Sequence, residues 1–349
     1  MPTAREGEVW RCYGAAMFGS SPLRQSAFYT LPLIVVILAI IFSPSSPLAR
    51  SVPFVNNLTL KNFSSSLTKA FHTLSKMPKA PTYFFSHGGP DVQYNTTHPV
   101  YPVLQSIGKE ITQKIKPKAV VVFSAHWQAE PNEIHLNNAE KTDLIYDFYG
   151  FPPEYYKATY PNTGSPELAS RILDLLSKAG IKARGMKRGL DHGVFSGFNV
   201  AFNPETNPLN CPLVQVSLFN NEDPNAHYKL GQAVSSLRDE NIVIIGTGMT
   251  VHNLRDMRFT WGDPRPLPYS VSFDNALKEA VESDPSVRQE KMAAVTKRPD
   301  ARQAHPWMDH LMPVYVAAGA ASEEKGKQLW TFQEGSFAWA QYRFGELPA

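Results

Sequence analysis

Ten histidines and only two cysteines, Cys12 and Cys211, decide what kind of reactive site this chain can build. Two thiols cannot form a zinc ribbon or a disulfide framework, and Cys211 reads as an ordinary buried thiol. An ion must therefore be held by His, Asp or Glu. His87 stands in Ser86-His87-Gly88-Gly89-Pro90 and His126 in Ser124-Ala125-His126-Trp127, each just beyond a short apolar run. His252 follows a third run, after Gly246-Thr247-Gly248 and before Asn253-Leu254. His192 is flanked by glycines in Gly189-Leu190-Asp191-His192-Gly193, while His305 and His310 open an apolar helix that runs on past Pro313. Imidazole is the commonest neutral ligand for zinc, iron and copper, and it exchanges protons near neutral pH. Several imidazoles carried to one place would thus bind a divalent ion and move protons beside it. His72, His98, His135 and His227 lack comparable placement and read as solvated or structural.

The elements that must position these residues follow from pattern. Tyr83–Phe85, Ala119–Phe123 and Ile242–Ile245 are continuous apolar runs without alternation, as in strands buried on both faces, and Val214–Leu218 reads as a further strand. Helices are expected over Val100–Ile115, Pro166–Ala179 and Asn225–Asp239. The second has Ser165 as N-cap, Pro166 in the first turn and Gly180 past its end. Alternating strands and helices indicate a single α/β domain over residues 81–349, with a mainly parallel central sheet flanked by helices. Ligands of such sheets bind beyond the carboxyl ends of the strands, where His87, His126 and His252 fall. The Gly246-x-Gly248 turn lacks the third glycine and following acid of a dinucleotide fingerprint, which excludes a Rossmann cofactor.

The N-terminal part differs from the rest. Residues 1–27 are basic. Residues 28–44 are apolar and resemble a signal anchor, between the length of a signal core and a full span. Residues 45–80 read as a disordered linker carrying the sequons at Asn57 and Asn62, with a third at Asn95. This predicts membrane attachment through residues 28–44 or secretion, and a cytoplasmic protein if translation starts at Met77. The formal net charge of +3 in 349 residues, without a basic aromatic-interleaved stripe, excludes a nucleic-acid partner.

Taken in order, the four histidine motifs resemble the class III extradiol ring-cleavage dioxygenases, and among them the 4,5-DOPA dioxygenase branch. Tyr146-Asp147-Phe148-Tyr149-Gly150-Phe151-Pro152 and Asp309-His310-Leu311-Met312-Pro313 also resemble that branch, so the likeness runs from about Pro81 to the C-terminus. It implies one divalent metal ion bound by His87, His126 and His310, with His305 as runner-up for the third ligand and His252 as a fourth. It implies His192 and His252 as acid/base residues, His252 taking the first proton and His192 acting as acid and orienter.

The implied partners are dioxygen and a small-molecule catechol, DOPA or a relative, whose vicinal hydroxyls chelate a metal that lowers their pKa. Fe(II) is expected for turnover, since zinc has no redox chemistry, although Zn(II) would suit three imidazoles as the bound ion. Trp127, Tyr146, Phe148 and Tyr149 are candidate walls for an aromatic ring, and Arg188 reads as a surface residue. The same imidazoles would serve a zinc-dependent hydrolase, which needs a glutamate base that these motifs lack. A non-catalytic binding protein of the Memo-like kind, which shares the fold, is the other alternative.

Overall fold

The computed structural model describes residues 79–260 and 263–348. The apolar 28–44 segment, most of the linker, His72 and the sequons at Asn57 and Asn62 lie outside the described residues. No helix among the described residues is long and apolar enough to cross a membrane. Ala80, placed in the linker by the sequence, is buried and exchanges hydrogen bonds with Arg238: its N–H donates to the Arg238 carbonyl, and Arg238 Nε donates to the Ala80 carbonyl.

In chain order the strands are β1 (Thr82–Ser86), β2 (Ala119–Gln128), β3 (Glu133–Asn137), β4 (Leu144–Ile145), β5 (Lys182–Met186), β6 (Leu190–Asp191), β7 (Leu213–Leu218), β8 (Ile242–Gly248), β9 (Val251–His252), β10 (Gly326–Trp330), β11 (Gln333–Glu334), β12 (Phe337–Ala338) and β13 (Gln341–Phe344). The main sheet has eight strands in the order β10-β13-β1-β8-β2-β7-β3-β5. Its centre, β1-β8-β2-β7, is parallel throughout. Antiparallel pairings occur where β13 joins β1 and β10 on one side and where β3 meets β7 on the other.

Successive residues of the central strands feed opposite cores, as the two-residue strand period requires. Phe84, Val121, Phe123 and Ile244 face the helices Pro166–Lys178, Pro224–Val234 and Met312–Ala320. Tyr83, Phe85, Val120, Val122, Val243 and Ile245 face Val100–Lys109 and His192–Ala201. Burial on both faces explains why these strands are apolar without alternation. Ser165 caps its helix as expected, its hydroxyl accepting from the Leu168 N–H at 3.1 Å. The first and third expected helices end in altered turns, a π-helical stretch at Glu110–Ile115 and a 3-10 stretch at Ser235–Glu240.

β2 and β8 run further than their apolar cores, because the Ser-Ala-His and Gly-Thr-Gly residues continue the extended backbone. Gly246 and Gly248 therefore lie inside β8. A methyl group at Gly248 would collide with the His310 carbonyl oxygen, and one at Gly246 with that of Pro313. The turn carrying His310 packs directly on this strand end, and the Met249 N–H donates to the His310 carbonyl at 2.9 Å. These glycines admit a backbone, not a nucleotide. Gly248→Ala is expected to lower stability by about 1–3 kcal/mol, since a carbonyl oxygen cannot move aside as a flexible side chain would. Urea denaturation would detect this, and an unchanged midpoint would argue against the close approach.

Candidate metal centre

β1, β8 and β2 are adjacent and parallel, so their carboxyl ends form one rim. His87 follows β1, His126 lies near the end of β2, and the chain beyond β8 turns through β9 to His252. His310 reaches the same rim from the turn that precedes Met312–Ala320, and His192 opens the His192–Ala201 helix. Gly193 lets that helix approach, since a Cβ there would stand 2.7 Å from both His126 Cδ2 and Ser124 Oγ.

The side chains converge. His87, His126 and His310 each offer one ring nitrogen within 4.8 Å of the others. Ring centroids lie 5.4 Å apart for His87 and His126, 5.6 Å for His87 and His310, and 4.9 Å for His126 and His310. The Nε2 atoms of His126 and His310 stand 3.1 Å apart. His87 Nδ1 donates to the Gly88 carbonyl at 2.5 Å, so its Nε2 carries a lone pair, and that atom is buried without a hydrogen-bond partner. An orphaned buried acceptor costs about 1–3 kcal/mol. One hydrogen bond between the facing Nε2 atoms of His126 and His310 would still leave His87 Nε2 alone, whereas a cation among the three would engage all three converging nitrogens. The donor set fits a divalent ion of the zinc or iron type.

The electrostatics agree with such a site. Burial, and then the neighbouring imidazoles, hold His87 and His310 well below the ordinary histidine pKa, which keeps them neutral and ligand-competent. Burial also presses on His126, but the hydrogen bond to Asp147 and the charges of Asp191 and Asp147 outweigh it and raise this imidazole. Burial and then His126 lower His192. His252 is lowered by burial and then by His310, on which its ring stacks at 3.7 Å and 9°. The short pairing of β9 with β12 sets this ring, with His252 opposite Phe337.

His305 belongs to neither group of residues that could hold an ion. Its Nε2 pairs with the Thr250 carbonyl at 2.9 Å, its ring packs on Phe273, and burial pushes its pKa down to about 4. That placement makes it a brace for the turn leading to His252. His98, His135 and His227 have protein partners in Glu334, Glu133 and the Asp223 carbonyl, respectively.

Sequence reasoning missed two carboxylates and misplaced one arginine. Asp147 contacts His126 Nδ1 at 2.9 Å through one oxygen and His192 Nδ1 at 2.8 Å through the other. With these two histidines it forms a second group of potential ligands. Its neighbours Tyr146, Phe148 and Tyr149 are aromatic and carry no sign of a histidine partner. Asp191 is fully buried and accepts from Ser124 Oγ, Gln215 Nε2 and Arg188 Nη1 at 2.7, 2.5 and 2.9 Å. Arg188, expected at the surface, is half-buried, ion-paired to Asp191 and laid over Trp127 at 4.4 Å. Of the expected ring walls, buried Phe148 stands 5.3 Å from the His192 ring, whereas Tyr149 is 88% exposed and lines nothing.

Comparison with known proteins gives the family. The chain is 36% identical over 269 residues to 4,5-DOPA dioxygenase extradiol of Beta vulgaris, spanning 75% of this chain and 96% of that protein. It is 32% identical over 228 residues to a 4,5-DOPA dioxygenase extradiol-like protein of Schizosaccharomyces pombe, spanning 65% of this chain and 75% of the relative. Its fold matches the crystal structure of an uncharacterized protein from Escherichia coli K12 with a TM-score of 0.62 and 26% identity, over 76% of this chain and all of the other. Residues 73–345 match the family described as the catalytic LigB subunit of aromatic ring-opening dioxygenase, and the chain belongs to that family.

Proposed function

We propose that this protein is an extradiol dioxygenase that opens a catechol ring, DOPA or a close relative, using a divalent ion held by His87, His126 and His310. The observation that carries this reading is the convergence of three imidazoles, His87 and His310 buried and His126 half-buried, around an unpartnered His87 Nε2 at the rim of the sheet. The names of the relatives from Beta vulgaris and Schizosaccharomyces pombe support the choice of DOPA. In the overall reaction one ring carbon–carbon bond breaks and both atoms of dioxygen enter the product. The electrons come from the ring, so no external reductant is consumed. The ion supplies Lewis acidity toward the catechol hydroxyls and, as Fe(II), the redox capacity that zinc lacks.

The chain's own residues then manage protons and access. Asp147 accepts from the Nδ1–H of His192, which leaves the His192 Nε2 lone pair as the resting proton acceptor. This supports an order opposite to the one the sequence suggested: His192, not His252, takes the catechol proton at Nε2, and is therefore the group that holds a proton to give back. Buried Phe148 covers one side of His192 and keeps water from that edge. The names of the relatives, which are dioxygenases, favour ring opening over the zinc-hydrolase alternative.

The test is oxygen uptake, with formation of a yellow product, by metal-free protein reconstituted anaerobically with Fe(II) or Zn(II) and given a panel of catechols. Uptake is expected with Fe(II) alone. Equal activity with zinc would overturn the choice of iron. Ester or amide hydrolysis without uptake would favour a hydrolase, and failure to retain any metal would favour a binding protein.

A further inference from the structure

We infer that Asp147 is a positioning residue that clasps a metal-ligand imidazole, His126, and the proton-transfer imidazole, His192, through its two carboxylate oxygens. The inference rests on the ligand assignment just proposed but goes beyond it, because it makes one side chain responsible for two different properties of the site.

Asp147 is delivered by backbone structure rather than by chance contact. β4 pairs in parallel with β6, setting Ile145 opposite Asp191, and the Leu190 N–H donates to the Asp143 carbonyl at 2.9 Å. The residue two places after Ile145 therefore arrives beside the residue just after Asp191, which is His192. Three donors then meet one carboxylate. His126 Nδ1 approaches Oδ2 at 2.9 Å, His192 Nδ1 approaches Oδ1 at 2.8 Å, and the His192 backbone N–H donates to Oδ1 at 3.0 Å. The last bond also satisfies a first-turn N–H of the His192–Ala201 helix, whose N-cap Asp191 makes no side-chain cap bond.

A carboxylate only accepts, so both imidazoles must carry their proton on Nδ1 and turn Nε2 away from the clasp. For His126 that is the atom 3.1 Å from His310 Nε2, within the ligand group. For His192 it is the atom free to take a proton. The two rings are fixed with centroids only 4.0 Å apart. A partner that orients a ligand imidazole typically contributes about 10–100-fold to metal affinity. An asparagine of the same shape has one acceptor and one donor, so it can satisfy only one of the two Nδ1–H groups.

The test compares the full-length wild-type protein with D147N, D147E and H192Q. Co(II) affinity is measured by chelator competition, and ring protonation by ¹⁵N NMR of histidine-labelled protein. D147N is expected to weaken Co(II) binding by about 10–100-fold and to lose one Nδ1–H tautomer signal. D147E, which keeps two accepting oxygens, is expected to restore both signals, and H192Q to leave affinity within about threefold. Unchanged affinity in D147N with both tautomers retained would overturn the clasp. So would a second equivalent of Co(II) bound by the wild type and lost in D147N, because Asp147 would then be a ligand. Should D147N fail to fold, D147E decides alone, and absence of either Nδ1–H signal in it overturns the inference. All these readouts need no catechol, so they stand or fall separately from the ring-opening reaction.

Discussion

Replacing His126 by alanine is expected to weaken metal binding by about 10²–10³-fold and to abolish oxygen uptake at ordinary metal concentrations. The magnitude follows from ligand arithmetic. Apparent binding free energies of about 10–16 kcal/mol for a four-ligand zinc site give each ligand roughly 2.5–4 kcal/mol, or about two to three decades in dissociation constant. Of the three proposed ligands His126 also makes the contacts that bridge the site, touching His310 through Nε2 and Asp147 through Nδ1. Chelator competition and oxygen uptake measured on one preparation would check both parts. Retention of a full equivalent of metal at wild-type affinity would remove His126 from the ligand set and, with it, the arrangement proposed for the rim.

Replacing His192 by alanine is expected to have the complementary signature, lowering kcat by about 10²–10⁴-fold while metal affinity stays within a few-fold. His192 is outside the three-imidazole group and is tied to the site through Asp147, so its loss removes a proton acceptor without removing a ligand. The helix it opens is buried along nearly its whole length, so the fold should survive the truncation. Steady-state oxygen uptake on Fe(II)-loaded protein, beside the chelator titration, separates the two quantities. A variant that loses metal as His126→Ala does, or one that keeps full turnover, would contradict the role given to His192. His252→Ala is the useful comparison, because its ring stacks on His310 and its removal disturbs a ligand's setting.

Much of the architecture was legible in the sequence because it is a local signal. Apolar runs such as Ala119–Phe123 and Ile242–Ile245 record burial on both faces, and Ser165, Pro166 and Gly180 punctuate a helix whose partners are its own neighbours in the chain. The candidate ligands were legible for a related reason: a parallel sheet sends the residue after each strand to the same rim, so His87 and His126 could be placed there without knowing their distance. What the sequence alone determined, then, was the four central strands of the sheet, three of its flanking helices and the arrival of His87, His126 and His252 at one edge.

The tertiary structure decided the rest, and in each case the deciding partner is remote in sequence. Gly246 and Gly248 have no visible purpose in the sequence until the His310–Pro313 backbone is seen lying against them. Arg188 looks like a surface charge until buried Asp191 and the Trp127 ring are found beneath it. His305 and His310 are five residues apart in equivalent-looking positions, yet one faces the Thr250 carbonyl and the other faces His126. Asp147 shows the limit most clearly, since nothing in its neighbourhood announces that it will meet histidines 21 residues before it and 45 residues after it. Hydrogen bonds act over about 3 Å in space and carry no mark along the chain, so only the folded arrangement could reveal which carboxylate holds which imidazole.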